Sequence, residues 1–353
     1  MLRRVTLDEG LRALDRSGMA AMLEEAVRVG GWRRRFSSRF SDLADLLREA
    51  SYRAGLENAK QVSGEHVAEA RSARRRRHSL TEDRSHELIS EGVIRVETKG
   101  LVVGQVNGLA VYDLGHHRFG KPSRITAQVG LGRDGVINVD RQAGLSGPTY
   151  DKGVSILTGF LRGTFARRSP LTMSCSVTFE QSYGGIDGDS ASSTEVYAIV
   201  SAISGVALRQ DVAVTGSVDQ HGNVQAIGGV NEKTEGFFRV CSEGELTGSQ
   251  GVMIPRSNVG DLQLSEEVVA AVSNDLFHIW AVDSVTDGIK VLTGRPAGVW
   301  SEATGWSKDS IFAACQERLD EMVRLMRKAA KSSDKKEDSR NENSNEIDTE
   351  STV

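Results

Sequence analysis

The chain has 353 residues, a formal net charge of -4, 39% hydrophobic residues and three cysteines. That length holds a full core and two structured units, and no apolar run reaches the roughly 20 residues needed to cross a bilayer. Met1 to Thr6 has no apolar stretch behind it, so no secretory signal is expected. Cys175, Cys241 and Cys315 fit neither a disulfide framework nor a zinc site, which points to a reducing, cytoplasmic setting. The small net charge selects no partner class.

Residues 1–80 read as a small helical bundle. Thr6 and Glu9 have the spacing of a capping box, and Leu11, Leu14, Met22, Leu23, Ala26 and Val27 form a stripe ending near Gly30 and Gly31. Phe40, Leu43, Ala44, Leu47 and Ala54 predict a second helix, with Asp42 and Asp45 near its positive end. A third begins after Ser63 with Glu65 in its first turn. The basic run Arg71 to Arg77 lacks interleaved aromatics and reads as a solvated linker helix, not a nucleic-acid surface. Leu80 to Glu91 continues helical, and residues 81–100 are taken as a linker.

Strands then dominate. Val93–Glu97 and Leu101–Val103 flank Lys99-Gly100 as a hairpin, and Gly104–Tyr112 opens a larger sheet. Gly115–Pro122 has the G-x-x-x-x-G-K spacing of a phosphate loop, but Pro122 stands where a magnesium-binding hydroxyl belongs and an alternating run follows. It reads as a loop between strands that binds no nucleotide. Ile125–Leu131 and Gly135–Val139 read as a strand pair around Arg133-Asp134-Gly135. Gly147–Gly153 leads into a helix with Val154, Leu157 and Leu161 on one face. Asp151 and Lys152 there read as surface residues as readily as site residues.

The chemistry concentrates between Glu180 and Lys233. An apolar run through Leu171, Met173, Val177 and Phe179 and a turn at Gly184, Gly185 and Gly188 lead to Gly188-Asp189-Ser190-Ala191-Ser192. Val196, Ile199, Val200 and Ile203 then mark a helix. Ser190 is thereby placed at a helix N-terminus, where free N–H groups would meet a developing oxyanion. Downstream, Gly228-Gly229-Val230-Asn231-Glu232-Lys233 opens a second helix whose Phe237, Phe238 and Val240 would wall the lysine stem. For a lysine to act as a base, burial must lower its pKa by roughly 3 units, or ~4 kcal/mol. Taken alone, Ser190 reads as a helix cap and Lys233 as a solvated residue. Asp187 and Asp189 complicate the pair, since a carboxylate near the amine favours its charged form.

Val212–Val218 and Val224–Ile227 read as a hairpin with His221 exposed at its tip. Gln250–Pro255 and Phe277–Val282 read as closing strands, with Ser284–Leu292 a helix and His278 a structural histidine. Ser307–Ala330 predicts an amphipathic helix with Ile311, Cys315, Leu319, Met322 and Met326 in its stripe, a face for a neighbour. Residues 331–353 are expected to be disordered.

The two runs at Ser190 and Lys233 resemble those of the proteolytic domain of Lon proteases, in particular the B-type branch. Gly104–Leu109 and Phe179–Gly185 match as well, over a span from about Gly104 to Gly294. The resemblance implies an α+β protein, with a helical ATPase lid at 1–80 and a mixed α/β proteolytic domain at 101–297; the C-terminal helix at 298–330 and the tail at 331–353 lie beyond it. It implies a serine endopeptidase with Ser190 as nucleophile, Lys233 as base and Thr215 steadying the lysine. Ser38–Leu47 is similar to the lid, which implies a nucleotide-sensing role for Arg39. No metal is implied. ATP is expected for the family, but without a phosphate loop this chain is expected to hold no cofactor, the ATPase module lying on a separate or longer chain. Unfolded or damaged proteins are the implied substrates and a hexameric ring the implied assembly. The alternative is a non-proteolytic or inactive Lon-fold assembly module.

Overall fold

The computed structural model describes residues 1–31 and 35–329. Its first five helices, α1 (Leu2–Asp8), α2 (Arg16–Gly30), α3 (Phe40–Leu56), α4 (Gly64–His78) and α5 (Leu80–Ser90), form the expected helical region. Met22, Ala26, Leu43, Leu47, Ala54 and Val67 share one buried cluster, whereas Phe40 and Leu23 face outward. The expected capping box at Thr6 and Glu9 is absent. Thr6 lies inside α1, its hydroxyl donating to the Leu2 carbonyl, and Glu9 follows that helix and pairs with Arg48. The start of α2 falls instead at Asp15, whose carboxylate accepts from the Gly18 amide at 2.8 Å. Leu11 and Leu14 precede it in chain that pairs with Val62.

The basic run is solvated as read, with Arg71, Arg75, Arg76 and Arg77 exposed, the first, second and last of them reaching Glu25, Glu82 and Glu49. The opposite face of α4 buries Val67, Ala70 and Ala73, so the helix belongs to the bundle and is not a separate linker.

After α5 come β1 (Leu101–Val102), β2 (Gln105–Asp113), β3 (Arg118–Gly130), β4 (Gly135–Asn138), α6 (Val139–Gln142), α7 (Pro148–Phe165), β5 (Ser174–Phe179) and α8 (Ser192–Ser204). Then follow β6 (Leu208–Arg209), β7 (Val212–Val214), β8 (Ser217–Val218), β9 (Val224–Gln225), α9 (Val230–Glu243), β10 (Gly251–Pro255), α10 (Glu266–Ser273), β11 (His278–Val282), α11 (Val285–Thr293), β12 (Trp300–Ser301) and β13 (Gly305–Trp306). A last helix, α12, covers 311–329. This is the expected α+β mixture, and no helix among the described residues is long and apolar enough to cross a membrane.

Among the described residues the main sheet has seven strands in the order β11, β10, β7, β2, β3, β5, β4. Alternation sorts their side chains between two apolar clusters. Val212, Val214 and Met253 join α7, α8, α11 and α12 on one face, while Ala213, Val252 and Ile254 join α9 and α10 on the other.

Three expected pairings are corrected. Val93–Glu97 forms no strand. The Arg95 amide is taken by the Gln181 side chain, the Glu97 carbonyl accepts from Asn107, and β1 pairs with β6. β3 and β4 are not a hairpin either, because β5 lies between them, antiparallel to β3 and parallel to β4. The parallel pairing needs a long crossover, and α6 and α7 provide it. Gly115–Pro122 is only half loop. Arg118–Pro122 already belongs to β3, paired with β2.

α12 packs on this chain's own core. Ile311, Phe312, Cys315, Leu319 and Met322 join the α8 cluster, and the Cys315 thiol donates to the Val200 carbonyl at 3.4 Å. The residues assigned to a disordered tail lie outside those described. Cys175, Cys241 and Cys315 are buried free thiols.

Candidate active site

Parallel strands β2, β7, β10 and β11 bring helices from both faces to one end of the sheet. Thr215 directly follows β7, Ser190 lies in the turn just ahead of α8, and Lys233 lies in the first turn of α9. There the Lys233 amine donates to the Ser190 hydroxyl at 2.8 Å and to the Thr215 hydroxyl at 2.9 Å. Thr215 in turn donates to the Ser190 carbonyl at 3.2 Å, and the Gly216 amide donates to that same carbonyl at 2.8 Å. The three side chains form a closed set, each fixing another's position.

Two glycines let the lysine approach so closely. A Cβ on Gly120 of β3 would run into the Glu232 carbonyl, and one on Gly236 of α9 would run into the Gly120 carbonyl. Helix backbone therefore rides on strand backbone, and any side chain there would push α9 away. Phe237 and Phe238 anchor the rest of the helix in its apolar cluster.

The amine is almost dry. Lys233 is 3% exposed and Thr215 1%. Burial pulls the Lys233 pKa down from 10.5 to about 8, against the pull of the Asp189 and Glu232 carboxylates. Asp189 is the neighbour anticipated to oppose a neutral amine, and it does so only in part, with its carboxylate also accepting from the Ser217 hydroxyl at 2.8 Å. Asp187 turns the other way. Its carboxylate accepts from the amides of Gly188, Thr149 and Tyr150 and caps the start of α7, which holds it below the usual aspartate range.

The remaining candidates stand apart. Arg39 is exposed at the start of α3 in the helical bundle. His221 is exposed at the β8–β9 turn, His278 bonds the Gly248 carbonyl, and Asp151 bonds Ser146. Among the described residues no group of three potential metal ligands converges.

Sequence reading missed a second polar cluster beside the Ser190 turn. The Tyr150 hydroxyl donates to the Glu195 carboxyl at 2.5 Å and accepts from Asn138 at 2.7 Å, all three buried. Its signal was a lone glutamate inside the otherwise uncharged run Ser192–Ile203.

Residues 13–77 match the archaeal LonB AAA+ ATPase lid domain, and residues 182–294 match the Lon protease (S16) C-terminal proteolytic domain. A Lon protease homolog of Escherichia coli K12 is 41% identical over 276 residues, 78% of this chain and 46% of that protein. A Haemophilus influenzae homolog is 43% identical over 61% of this chain and 36% of its own length. The archaeal Lon protease of Archaeoglobus fulgidus is 28% identical over 75% of this chain and 41% of its own length. The chain thus spans less than half the length of these relatives. With a LonB-type lid ahead of an S16 proteolytic domain, it belongs to the Lon protease family.

Proposed function

We propose that the chain is a serine endopeptidase in which Ser190 and Lys233 form the reacting pair. The observation that carries this reading is a dry lysine amine 2.8 Å from a serine hydroxyl, with its pKa brought to about 8. An amine with that pKa is partly neutral near physiological pH, and its lone pair can take the hydroxyl proton across the same short distance.

The Ser190 oxygen attacks the peptide carbonyl carbon as its proton passes to Lys233. Backbone N–H groups of the turn ahead of α8 stabilise the oxyanion, an effect worth ~3 kcal/mol per donor. Lys233 returns the proton to the departing amine, leaving an ester on Ser190, and water attacking with Lys233 as base regenerates the hydroxyl. Thr215 accepts one amine hydrogen, which leaves the lone pair facing Ser190.

By analogy with the family, this is the proteolytic part of an ATP-dependent machine acting on unfolded or damaged proteins in the cytoplasm. Its chains assemble into a homo-oligomeric, hexameric ring, and nucleotide is handled by an ATPase module on a separate or longer chain, with Arg39 sensing it. Fluorescein-labelled casein incubated with and without ATP tests the reading. Wild-type protein is expected to release peptides, and Ser190→Ala and Lys233→Ala to lose about a thousandfold or more of the rate. Cleavage that persists in either variant would remove the pair from the mechanism.

A further inference from the structure

The turn that carries Ser190 is held from both sides by one residue of α7. Ahead of the serine, the Tyr150 amide donates to Asp187 at 3.1 Å, and Asp187 also binds the Gly188 amide within its own loop. Behind the serine, the Tyr150 hydroxyl donates to Glu195 in the first turn of α8, whose amide bonds the Ala191 carbonyl. α7 lies close enough that a Cβ on Gly153 would stand 3.2 Å from that of Asp189. Asn138, at the end of β4, donates to the Tyr150 oxygen and ties this brace to the sheet. Glu195 is 1% exposed and Tyr150 1%. A carboxyl group so deeply buried is costly unless it is hydrogen-bonded, and Tyr150 supplies that bond.

We propose that Tyr150 and Glu195 are positioning residues for peptide hydrolysis, their hydrogen bond clamping both flanks of the Ser190 turn so that the hydroxyl stays in register with the Lys233 amine. The inference rests on Ser190 and Lys233 being the reacting pair. Neither Tyr150 nor Glu195 touches the reacting atoms.

The clamp carries its own titration. Burial pushes the Glu195 carboxyl up to about 8, the Tyr150 hydrogen bond lowering it and the Asp140 charge raising it. Tyr150 comes from α7 and Asp140 from α6. The sheet face packed on α8 presents Val106, Ile125, Ala127 and Val177, β8 adds Val218, and Asp287 of α11 acts on Tyr197 of α8. With no cation among these neighbours, ionising Glu195 places in the core a charge that only the Tyr150 hydroxyl offsets, and the cost of burying it disturbs the packing that seats α8 behind Ser190. Hydrolysis should therefore need a neutral Lys233 and a neutral Glu195 together, giving a bell with its acid limb from the lysine and its alkaline limb from the glutamate.

The test follows casein hydrolysis by the full chain between about pH 6 and 10, with Ser190→Ala as control. Glu195→Gln, which still accepts from Tyr150 but cannot ionise, is expected to keep the acid limb and lose the alkaline one. Glu195→Ala and Tyr150→Phe are expected to lower kcat about tenfold or more with KM within about twofold, and Glu195→Gln to recover most of what Glu195→Ala loses. A Glu195→Gln profile that overlays the wild type, with Ser190→Ala inactive, overturns the clamp alone. Activity surviving in Ser190→Ala overturns the reacting pair and the clamp with it. Glu195→Gln keeps the packing volume, so a folding failure in Glu195→Ala does not blunt the result.

Discussion

Two regions of the molecule bury ionisable side chains and treat them in opposite ways. At the junction between the helical bundle and α9, Glu82 meets His117 at 2.7 Å and Arg75 and Arg239 at 3.0 Å each, and Arg239 also holds Asp83 at 2.8 Å. Burial alone would raise the Glu82 acid, but the His117 hydrogen bond and the two guanidiniums outweigh it and bring it down to about 2. At the end of the sheet where α8 and α9 begin, Lys233 has hydroxyls as its hydrogen-bond partners, and burial wins. A buried charge with full partners is locked in one state and works as a fastener. A buried amine given hydroxyls instead can change state, which proton transfer requires.

The sharpest way to break this contrast is Lys233→Met, which keeps the stem and removes the amine. Hydrolysis should fall about a thousandfold, while urea unfolding at neutral pH should show a gain of about 1–3 kcal/mol, because the cost of a 2.5-unit depression, about 3 kcal/mol, disappears. Glu82→Ala should do the reverse at the junction, costing about 3 kcal/mol as three basic groups lose their partner, with the hydrolytic pH profile keeping its shape. Gly236→Ala strikes both regions at once by lifting α9 from β3. About 2 kcal/mol of stability should go and the rate should fall with it.

The two regions also separate on the pH axis. Glu82 has a folded pKa below its usual 4.5, so its contribution is complete above about 4.5 and is lost as pH falls toward 2. Lys233 has a folded pKa below its usual 10.5, so the unfolded chain binds more protons between about 8 and 10.5. Its penalty fades as pH rises through that window. Guanidinium titrations across both windows should show these slopes, the second absent in Lys233→Met. The smallest effect belongs to the exposed Arg4–Asp8 pair, whose loss in Arg4→Ala should leave the melting temperature unchanged.

Much of the fold and the meeting of Ser190 with Lys233 was legible because the signals were local. Ser63 before α4, the stripe Leu43, Ala44 and Leu47, and the glycine-flanked runs at Ser190 and Lys233 each lie within about one helical turn. What failed depended on contacts distant in sequence. Nothing near Val93 shows that Gln181 will take its neighbour's amide, and nothing between β3 and β4 shows that β5 will enter between them. Thr6 and Glu9 have the right spacing for a cap, but Asp15 supplies a better acceptor where the chain turns against Val62. α10 went unread because its Val268 and Ala271 leave too short a stripe. Glu195 was overlooked in the same way, since its partner Tyr150 lies 45 positions upstream.

α12 brings one further consequence. The S16 match ends at residue 294, yet the apolar cluster around α8 continues through Phe312, Cys315 and Leu319, with Phe165 and Trp306 stacked edge-on against Phe312. A polypeptide stopping at 294 would uncover the rear of α8, where Val200 and Ile203 would meet water. Such a fragment should aggregate or bind hydrophobic dyes, so the folding unit of this chain extends past its homology border by at least the first three turns of that helix.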